Sequence, residues 1–482
     1  MLVFLGVENF AKIESAKICI NSYTLLVGPN NSGKTYFMQL VQGVNERLVD
    51  LLDEKGMQIL QCSKDTASDR DSDTEDAGYM ISKDNILQFT EYLNEKLDEN
   101  KEQIVREIFG REVPTGKIYV EFCLEAEEKY EVIFSEHLDK INKILSLTGS
   151  MLSLPANLLV SAADGALSDS FAGRKAYILK KYSEEKKKGE VVSLSVRSAK
   201  EEMDSIKSML RNIFECDSLF FPASRTGIML LYREFFANKA DDMFSYQVKE
   251  NQLVEKKNYG ELTRPVYQFL RFLQTYSENE VSRRIYNKEI DFFEEKLIEG
   301  HISANKQNGF SYDSKTDHVS VPVYMASSMI NEIAPLVLAL TSMDLFGRFI
   351  IDEIEASLHP RKQLELVRFL NRLSNQGIRL ILSTHSDTFA SKVSNLYILS
   401  NYVKQDNGDD AMKKLGLERE DLIDSERLFV YEFINQPDGK SIVKEIPGNS
   451  ETGFQFDLFT DSAMHLYNEA LKIGEILQND QA

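Results

Sequence analysis

The chain has 482 residues, 43% of them apolar, with 56 Lys and Arg against 76 Asp and Glu for a formal charge of −20. That length exceeds one simple core and implies a core domain with insertions, or two to three domains. The acidic balance excludes broad, sequence-independent nucleic-acid binding, which needs a positive field, while leaving room for a local basic groove. Cys19, Cys62, Cys123 and Cys216 form no C-x-x-C pair and read as small apolar residues of a reducing compartment. No apolar run approaches a membrane span, and Glu8 interrupts the opening stretch in the manner of a strand rather than a secretory leader, so the expected setting is the cytoplasm, with no membrane partner.

Three short strands are predicted over 2–7, 16–20 and 23–28. The third, Tyr23-Thr-Leu-Leu-Val-Gly28, is almost continuously apolar, the pattern of a strand buried on both faces. A helix follows from Lys34 to about Asn45. Residues 63–76 hold no large apolar residue and many carboxylates, and read as a solvated insert. Helical spacing resumes over 81–109, and 117–124 and 129–134 alternate as a hairpin would. The stretch 175–213 mixes basic and acidic residues, as a solvated loop followed by a helix. Residues 218–222 form another apolar strand. From 227 to 299 the pattern is helical, charged and aromatic without a sustained heptad, which suggests an arm or lever of two or three helices. Short strands with turns at Asn308-Gly309 and Ser314-Lys315 occupy 300–326. A helix over 328–343, a buried strand over 348–352, a helix over 361–375 and a buried strand over 378–383 follow. A hairpin over 428–435 and 441–446 and a terminal helix over 461–478 close the chain. Strand–helix alternation around phosphate-binding turns predicts an α/β core with a mainly parallel sheet.

Four motifs carry chemistry. Gly28-Pro-Asn30-Asn31-Ser32-Gly33-Lys34-Thr35 matches G-x-x-x-x-G-K-[ST] in full, after a buried strand and at the opening of a helix. A triphosphate is a dense anion, so backbone N–H groups must converge on it. Glycines allow the tight turn, and the helix that starts with Lys34, Thr35 and Tyr36 offers its positive end. Lys34 is expected to reach the β/γ-phosphates and Thr35 to ligate Mg²⁺. Phe349-Ile-Ile-Asp352-Glu353 is a buried strand ending in two carboxylates, Asp352 placed beside the metal and Glu353 to polarise the attacking water. His385, in Ile381-Leu-Ser-Thr-His385-Ser386, lies one helix and one strand further on, at the same edge of a parallel sheet, where it could hydrogen-bond a γ-phosphate. Ala326-Ser327-Ser328-Met329 presents hydroxyls and N–H groups at a helix start, an anion site in form; on its own such a pair reads first as an N-cap.

The order GPNNSGKT, SLFFPASR, ASSMINEIAPL, FIIDEIEASLHPRKQ and LILSTHS resembles the ABC-type AAA ATPases of the OLD, RecF and SMC grouping. Within it, the chain is most similar to the ATPases of two-gene bacterial anti-phage systems such as PARIS and Septu. The resemblance implies an ABC-type ATPase head, an α/β fold with a mixed or parallel sheet and helical insertions, acting on ATP with Mg²⁺. It implies a homodimer with ATP sandwiched between copies, or a larger even-numbered assembly such as a hexamer. One copy then supplies Gly28 to Thr35, Asp352, Glu353 and His385, and the other Ser327 and Ser328, with Glu355 to His359 along the interface. Phe10 and Lys12 fall where this grouping places residues close to the nucleotide, and Arg225 falls in a P-A-S-R turn with a glutamine-loop role. Met329 stands where the signature usually has glycine. Its side chain is expected to crowd the opposite γ-phosphate and slow hydrolysis.

The implied organisation has residues 1–62 as the first part of the head, 63–217 as an insertion, 218–228 as a return strand and 229–299 as a helical arm. Residues 300–400 form the second part of the head, and 401–482 a hairpin and helix that complete it. Residues 386–482 lack the glutamate and Asp-x-Asp pattern of a Toprim nuclease, and the histidines are scattered, so any nuclease is expected in trans. The functional expectation is an ATPase sensor and scaffold controlling a separately encoded effector nuclease or toxin, with a phage protein as a conceivable trigger. The alternative is a DNA-repair or chromosome-organising ATPase that binds DNA.

Overall fold

The computed structural model describes residues 2–48, 78–81, 83–123, 129–135, 174–183, 186–198, 217–233, 262–305, 309–316, 318–344, 346–405 and 408–479, with isolated positions between 51 and 59. The chain opens with β1 (Leu2–Phe10), β2 (Ile13–Cys19), β3 (Tyr23–Val27) and α1 (Lys34–Leu48). Next come β4 (Gly78–Ile81), α2 (Lys83–Phe109), β5 (Thr115–Cys123), β6 (Lys129–Ser135), β7 (Arg174–Ser183), β8 (Lys186–Ser198) and β9 (Ser218–Phe221). Three helices follow, α3 (Arg264–Thr275), α4 (Glu280–Ile285) and α5 (Asn287–Phe292), the last running into a π-helical turn over Phe293–Leu297. The strands β10 (Gly300–Asn305), β11 (Gly309–Ser314) and β12 (Ser320–Pro322) lead to α6 (Ser328–Thr341), β13 (Arg348–Ile351), α7 (Pro360–Asn375), β14 (Arg379–Thr384), α8 (Asp387–Gln405) and α9 (Asp409–Leu415). Finally β15 (Leu428–Asn435) and β16 (Ser441–Glu445) precede α10 (Asp457–Asn479).

Nine strands form one mixed sheet in the order β5-β1-β2-β16-β15-β3-β14-β13-β9. From β15 to β9 every neighbouring pair is parallel, with Leu25 opposite both Leu382 and Val430, and Ile350 opposite both Ile381 and Phe220. Parallel strands need both faces covered. All residues of β3 and β13 are accordingly buried. Side chains alternate across the sheet and feed two cores. Leu25, Val27, Phe349, Ile351, Leu380 and Leu382 join Phe269 of α3, Ile333 of α6, Leu366 of α7 and Phe389 of α8. Leu26, Phe220, Ile350 and Ile381 face the other way, toward Phe37 and Val41 of α1 and Phe89 and Leu97 of α2. Because β3, β14, β13 and β9 run the same way, the segments leaving them gather at one sheet edge, where open α/β sheets place their ligands.

Several elements differ from the sequence reading. The hairpin expected from 117–124 and 129–134 does not pair: β5 joins β1 along the edge of the large sheet, while β6 lies between β4 and β7 in a separate four-stranded sheet. Alternation marks a half-buried strand but names no partner. The charged stretch after 174 is not a loop: β7 and β8 pair antiparallel, from Arg174 opposite Ser198 to Ser183 opposite Lys186. Apolar residues at every second place in Val192-Ser-Leu-Ser-Val196 carried that signal beneath the charges. The described helices of 262–299 are no free arm, since Phe269, Phe272, Ile290 and Phe293 lie in the core, Phe293 against Phe369 at 5.1 Å. The insert at 63–76 and the helix expected after 200 lie outside the described residues. The β15–β16 hairpin forms as expected but inserts into the sheet centre, between β3 and β2.

The two helices on the α1 face meet closely. A Cβ on Gly43 of α1 would stand 2.2 Å from Cγ1 of Ile108 on α2, and α2 in turn backs β5 through Ile118, Val120 and Phe122. A side chain here gains helix propensity of about 1 kcal/mol over glycine but forces the helices apart. Gly43→Val is therefore expected to lower unfolding free energy by about 1–3 kcal/mol in chemical denaturation.

Candidate functional site

The site grows from the ends of four parallel strands. β3 runs into the loop Gly28–Thr35, which needs two left-handed turns. Gly28 has φ +146° and would put a Cβ 2.6 Å from the carbonyl oxygen of Phe433. Gly33 has φ +101° and would put one 2.8 Å from Ile13 Cγ1. Between them Asn31 takes φ 57°, a conformation asparagine tolerates. Asn30, Asn31 and Thr35 are exposed, whereas Ser32 and Lys34 are buried. The β15–β16 hairpin supports the loop from behind: Ser441 Oγ donates to Ser32 O at 2.6 Å, and Ser441 N donates to Lys12 O at 2.8 Å. Lys12 closes the loop's outer side by donating its ammonium to Asn31 O.

Lys34 folds back over this loop. Its Nζ donates to the carbonyls of Gly28 and Pro29, both at 2.9 Å, and lies 3.3 Å from Ser32 Oγ. Burial pushes its pKa down to about 8, against the opposing pull of Asp352, Glu353 and Glu355. An ammonium held by backbone carbonyls in a desolvated pocket is a natural docking point for a stronger anion.

The end of β13 delivers the acids. Thr35 Oγ1 donates to Asp352 Oδ2 at 2.7 Å, joining the loop to the acidic strand end. Ser383, at the end of β14, donates its hydroxyl to Asp352 Oδ1 at 2.6 Å and accepts the backbone N–H of Glu353 at 2.8 Å. Glu353 itself sits at φ 48°, a strained conformation for a non-glycine residue and one that clusters at functional sites. Burial, then the neighbouring Asp352 and Glu355, raise its carboxyl above the ordinary range. That shift moves it toward the strength of a general base. His385 follows β14. Burial, then Lys34, lower its imidazole, while Glu355, Asp352 and, least, a hydrogen bond to the Gly28 backbone act in the opposite sense. Lys34, Thr35, Asp352, Glu353 and His385, expected to converge, therefore do so at one sheet edge.

The other expected residues have surroundings of their own. Tyr36 stacks its ring on Phe109, with centroids 5.2 Å apart, and its hydroxyl accepts from Arg111. Phe10 is a core residue packed on Phe109 at 5.9 Å. Ser327 caps α6, accepting from Ile330 N at 3.4 Å, and with Ser328 stays exposed. Met329 is partly buried and packs against the core. Ser383, Ser441 and Glu332 were missed. A serine inside an apolar strand, as in Ile381-Leu-Ser383, was the one available signal.

Arg225 is not a ligand-facing side chain. It is 1% exposed and faces Glu332, 3% exposed, with Nε 3.2 Å from Oε2. Its Nε donates to Glu332 O at 2.8 Å, Nη1 to Pro222 O at 3.0 Å and Asp352 O at 2.7 Å, and Nη2 to Glu353 O at 3.1 Å. Burial lowers the guanidinium pKa, and Glu332 is the foremost group opposing that shift. The fork thus ties α6 to the backbone that carries Asp352 and Glu353. A methionine would fill the volume but leave Glu332 charged in a dry site, so Arg225→Met is expected to cost about 3–5 kcal/mol of unfolding free energy, read by urea denaturation.

The donors suit Mg²⁺ carried with a nucleotide: one hydroxyl and one carboxylate, with phosphate and water left to complete the shell. Among the described residues no cluster of three or more His, Cys, Asp or Glu could hold a metal alone. No described helix is long and apolar enough to cross a membrane. Among curated proteins, none matches the chain. Solved structures that align along its length include the SMC head domain from Thermotoga maritima, at 10% identity over 92% of this chain and 99% of that one, with a TM-score of 0.32. Another is the Smc head domain with an extended coiled coil, bound to the C-terminal domain of ScpA, derived from Pyrococcus furiosus, at 11% identity over 97% and 99%, with a TM-score of 0.32. The family description "AAA ATPase domain" matches residues 1–390, a span that holds the phosphate loop, the acidic strand end and His385, and the chain belongs to that family.

Proposed function

We propose that this AAA ATPase domain hydrolyses ATP between two copies of the chain. We further propose that the cycle holds and releases a separately encoded effector, a nuclease or toxin, in a bacterial anti-phage defence system. The observation that carries the chemistry is the contact of Thr35 with Asp352, which joins the phosphate loop to the acidic strand end. The N–H groups at the start of α1 cradle the phosphates, and Lys34 exchanges its carbonyl partners for phosphate oxygens. Thr35 and Asp352 would hold Mg²⁺, which would supply charge neutralisation to the phosphates. Glu353 takes the proton of the attacking water as oxygen bonds to the γ-phosphorus and the bond to the ADP oxygen breaks. His385 orients the γ-phosphate.

A second copy supplies Ser327 and Ser328 at the start of its α6. Both are exposed, and Tyr324 and Met325 beside them are large apolar side chains 48% and 67% exposed, as suits a face that another chain covers. Arg225 then connects that face to Glu353, so closure of the pair reaches the catalytic carboxylate. The defence role is supported by the motif set shared with two-gene anti-phage ATPases. A DNA-repair or chromosome-organising role shares those motifs and is disfavoured by the charge of −20.

Lys34→Ala is expected to weaken ATP binding at least about 100-fold in equilibrium titration, because it removes the cation from the anion site. Glu353→Gln is expected to retain ATP, lose at least about 100-fold in kcat and accumulate as a closed pair in size-exclusion chromatography with ATP. Normal hydrolysis by Glu353→Gln would show that the base is elsewhere. Affinity purification of the full chain is expected to recover the product of an adjacent gene, released on ATP addition. Recovery of none, with ATP-dependent DNA binding that falls steeply with salt, would favour the second role.

A further inference from the structure

The turn that follows Glu353 carries a carboxylate that the mechanism above does not use. Residues 353–358 turn back from β13 toward α7, with Glu353 at φ 48° and Ser357 at φ 59°. This path sends Glu355 across to the end of the neighbouring strand. Its Oε1 accepts the backbone N–H of His385 at 2.6 Å. The ladder between β14 and β3 ends one residue earlier, at Thr384 opposite Val27, so this N–H needs a partner from outside the sheet. The adjoining turn is fixed as well: Ser386 N donates to Thr384 Oγ1 at 3.0 Å, and Ser386 Oγ donates to Gln363 Oε1.

The other carboxylate oxygen makes the arrangement more than a turn closure. Glu355 Oε2 is buried and has no hydrogen-bond partner among the described residues. A carboxylate with one desolvated oxygen is costly to keep for a single backbone bond. Its charge acts on Lys34, Arg225, Glu353 and His385, so it belongs to the field of the nucleotide site.

We infer that Glu355 is a positioning residue for ATP hydrolysis: by gripping the backbone of His385 it holds the imidazole beside Gly28 and the phosphate loop. Glu355 touches neither water nor phosphate and acts through His385. The inference rests on the hydrolytic function proposed above. An acceptor at this reach on the N–H of the oriented residue sets the position of the imidazole, and a misplacement of about 1 Å can cost on the order of 100-fold in rate.

The test separates reach from charge. Steady-state ATPase and equilibrium ATP binding are measured on the full chain as wild type, Glu355→Gln, Glu355→Asp, Glu355→Ala, His385→Ala and Glu355→Ala/His385→Ala. Thermal melts identify any variant that does not fold. Glutamine keeps an acceptor oxygen at the same reach and is expected to retain kcat within about 3-fold, while aspartate keeps the charge, falls a methylene short and loses about 10- to 100-fold in kcat. KM and ATP affinity stay within about 2-fold throughout the Glu355 series, because a transition-state interaction is lost rather than uniform binding. The double variant is expected to be no slower than His385→Ala, since both remove one unit. Glutamine as impaired as alanine, losses that multiply in the double variant, or a rise in KM at unchanged kcat would each overturn the inference. Should Glu355→Ala not fold, the order of Gln and Asp decides. A wild-type chain that neither binds nor hydrolyses ATP would remove the proposed function and this inference with it, a result distinct from a failed Glu355 series.

Discussion

One hydrogen bond, from Thr35 Oγ1 to Asp352 Oδ2 at 2.7 Å, spans 317 positions of the chain, and the site exists because that distance is closed. Neither residue can move far alone. Thr35 opens α1, whose apolar side packs on one face of the sheet, and Asp352 ends a strand buried along its whole length. The parallel order β3-β14-β13 sets the spacing, and β14 contributes Ser383, whose hydroxyl is bonded to both Asp352 and Glu353 at the end of β13. The catalytic arrangement is therefore a property of the sheet edge, and its precision derives from strands held in two cores rather than from the loops.

The acidic site is also a balance of charge. Three carboxylates, Asp352, Glu353 and Glu355, share one pocket with Lys34 and the buried Arg225. The guanidinium offsets part of their repulsion from within the fold, because its donors end on backbone carbonyls, those of Asp352 and Glu353 among them. It also makes α6 and the acidic turn one mechanical unit through Glu332. The start of α6 and the backbone of Glu353 are thus joined through a buried fork rather than a flexible linker.

Much of this was legible in the sequence, and the rest was hidden for identifiable reasons. Gly28, Gly33, Lys34 and Thr35 announce themselves because a phosphate cradle tolerates few residue types, and the buried strands before Gly28 and Asp352 show as unbroken apolar runs. Positions whose role is to hold others are invisible in that way. Arg225 reads as a polar turn residue, and its burial follows only from the meeting of β9, β13 and α6. Ser441 lies in a hairpin whose insertion between β2 and β3 is a matter of long-range pairing, which local alternation does not encode. For the same cause local alternation suggests β6 as the partner of β5, where the fold pairs it with β1. The charged strands β7 and β8 show the opposite case, where composition masked a periodicity that was present.

The central claim is that the loop at 28–35 and the acids at 352–353 serve one metal-bound triphosphate. A crystal structure of the full chain grown with a non-hydrolysable ATP analogue and Mg²⁺ tests it most directly. The account predicts that Lys34 Nζ leaves the carbonyls of Gly28 and Pro29 for the phosphates, and that a single cation comes between Thr35 and Asp352. A nucleotide bound elsewhere, or a saturated crystal in which Lys34 and the Thr35–Asp352 contact are unchanged, would contradict it.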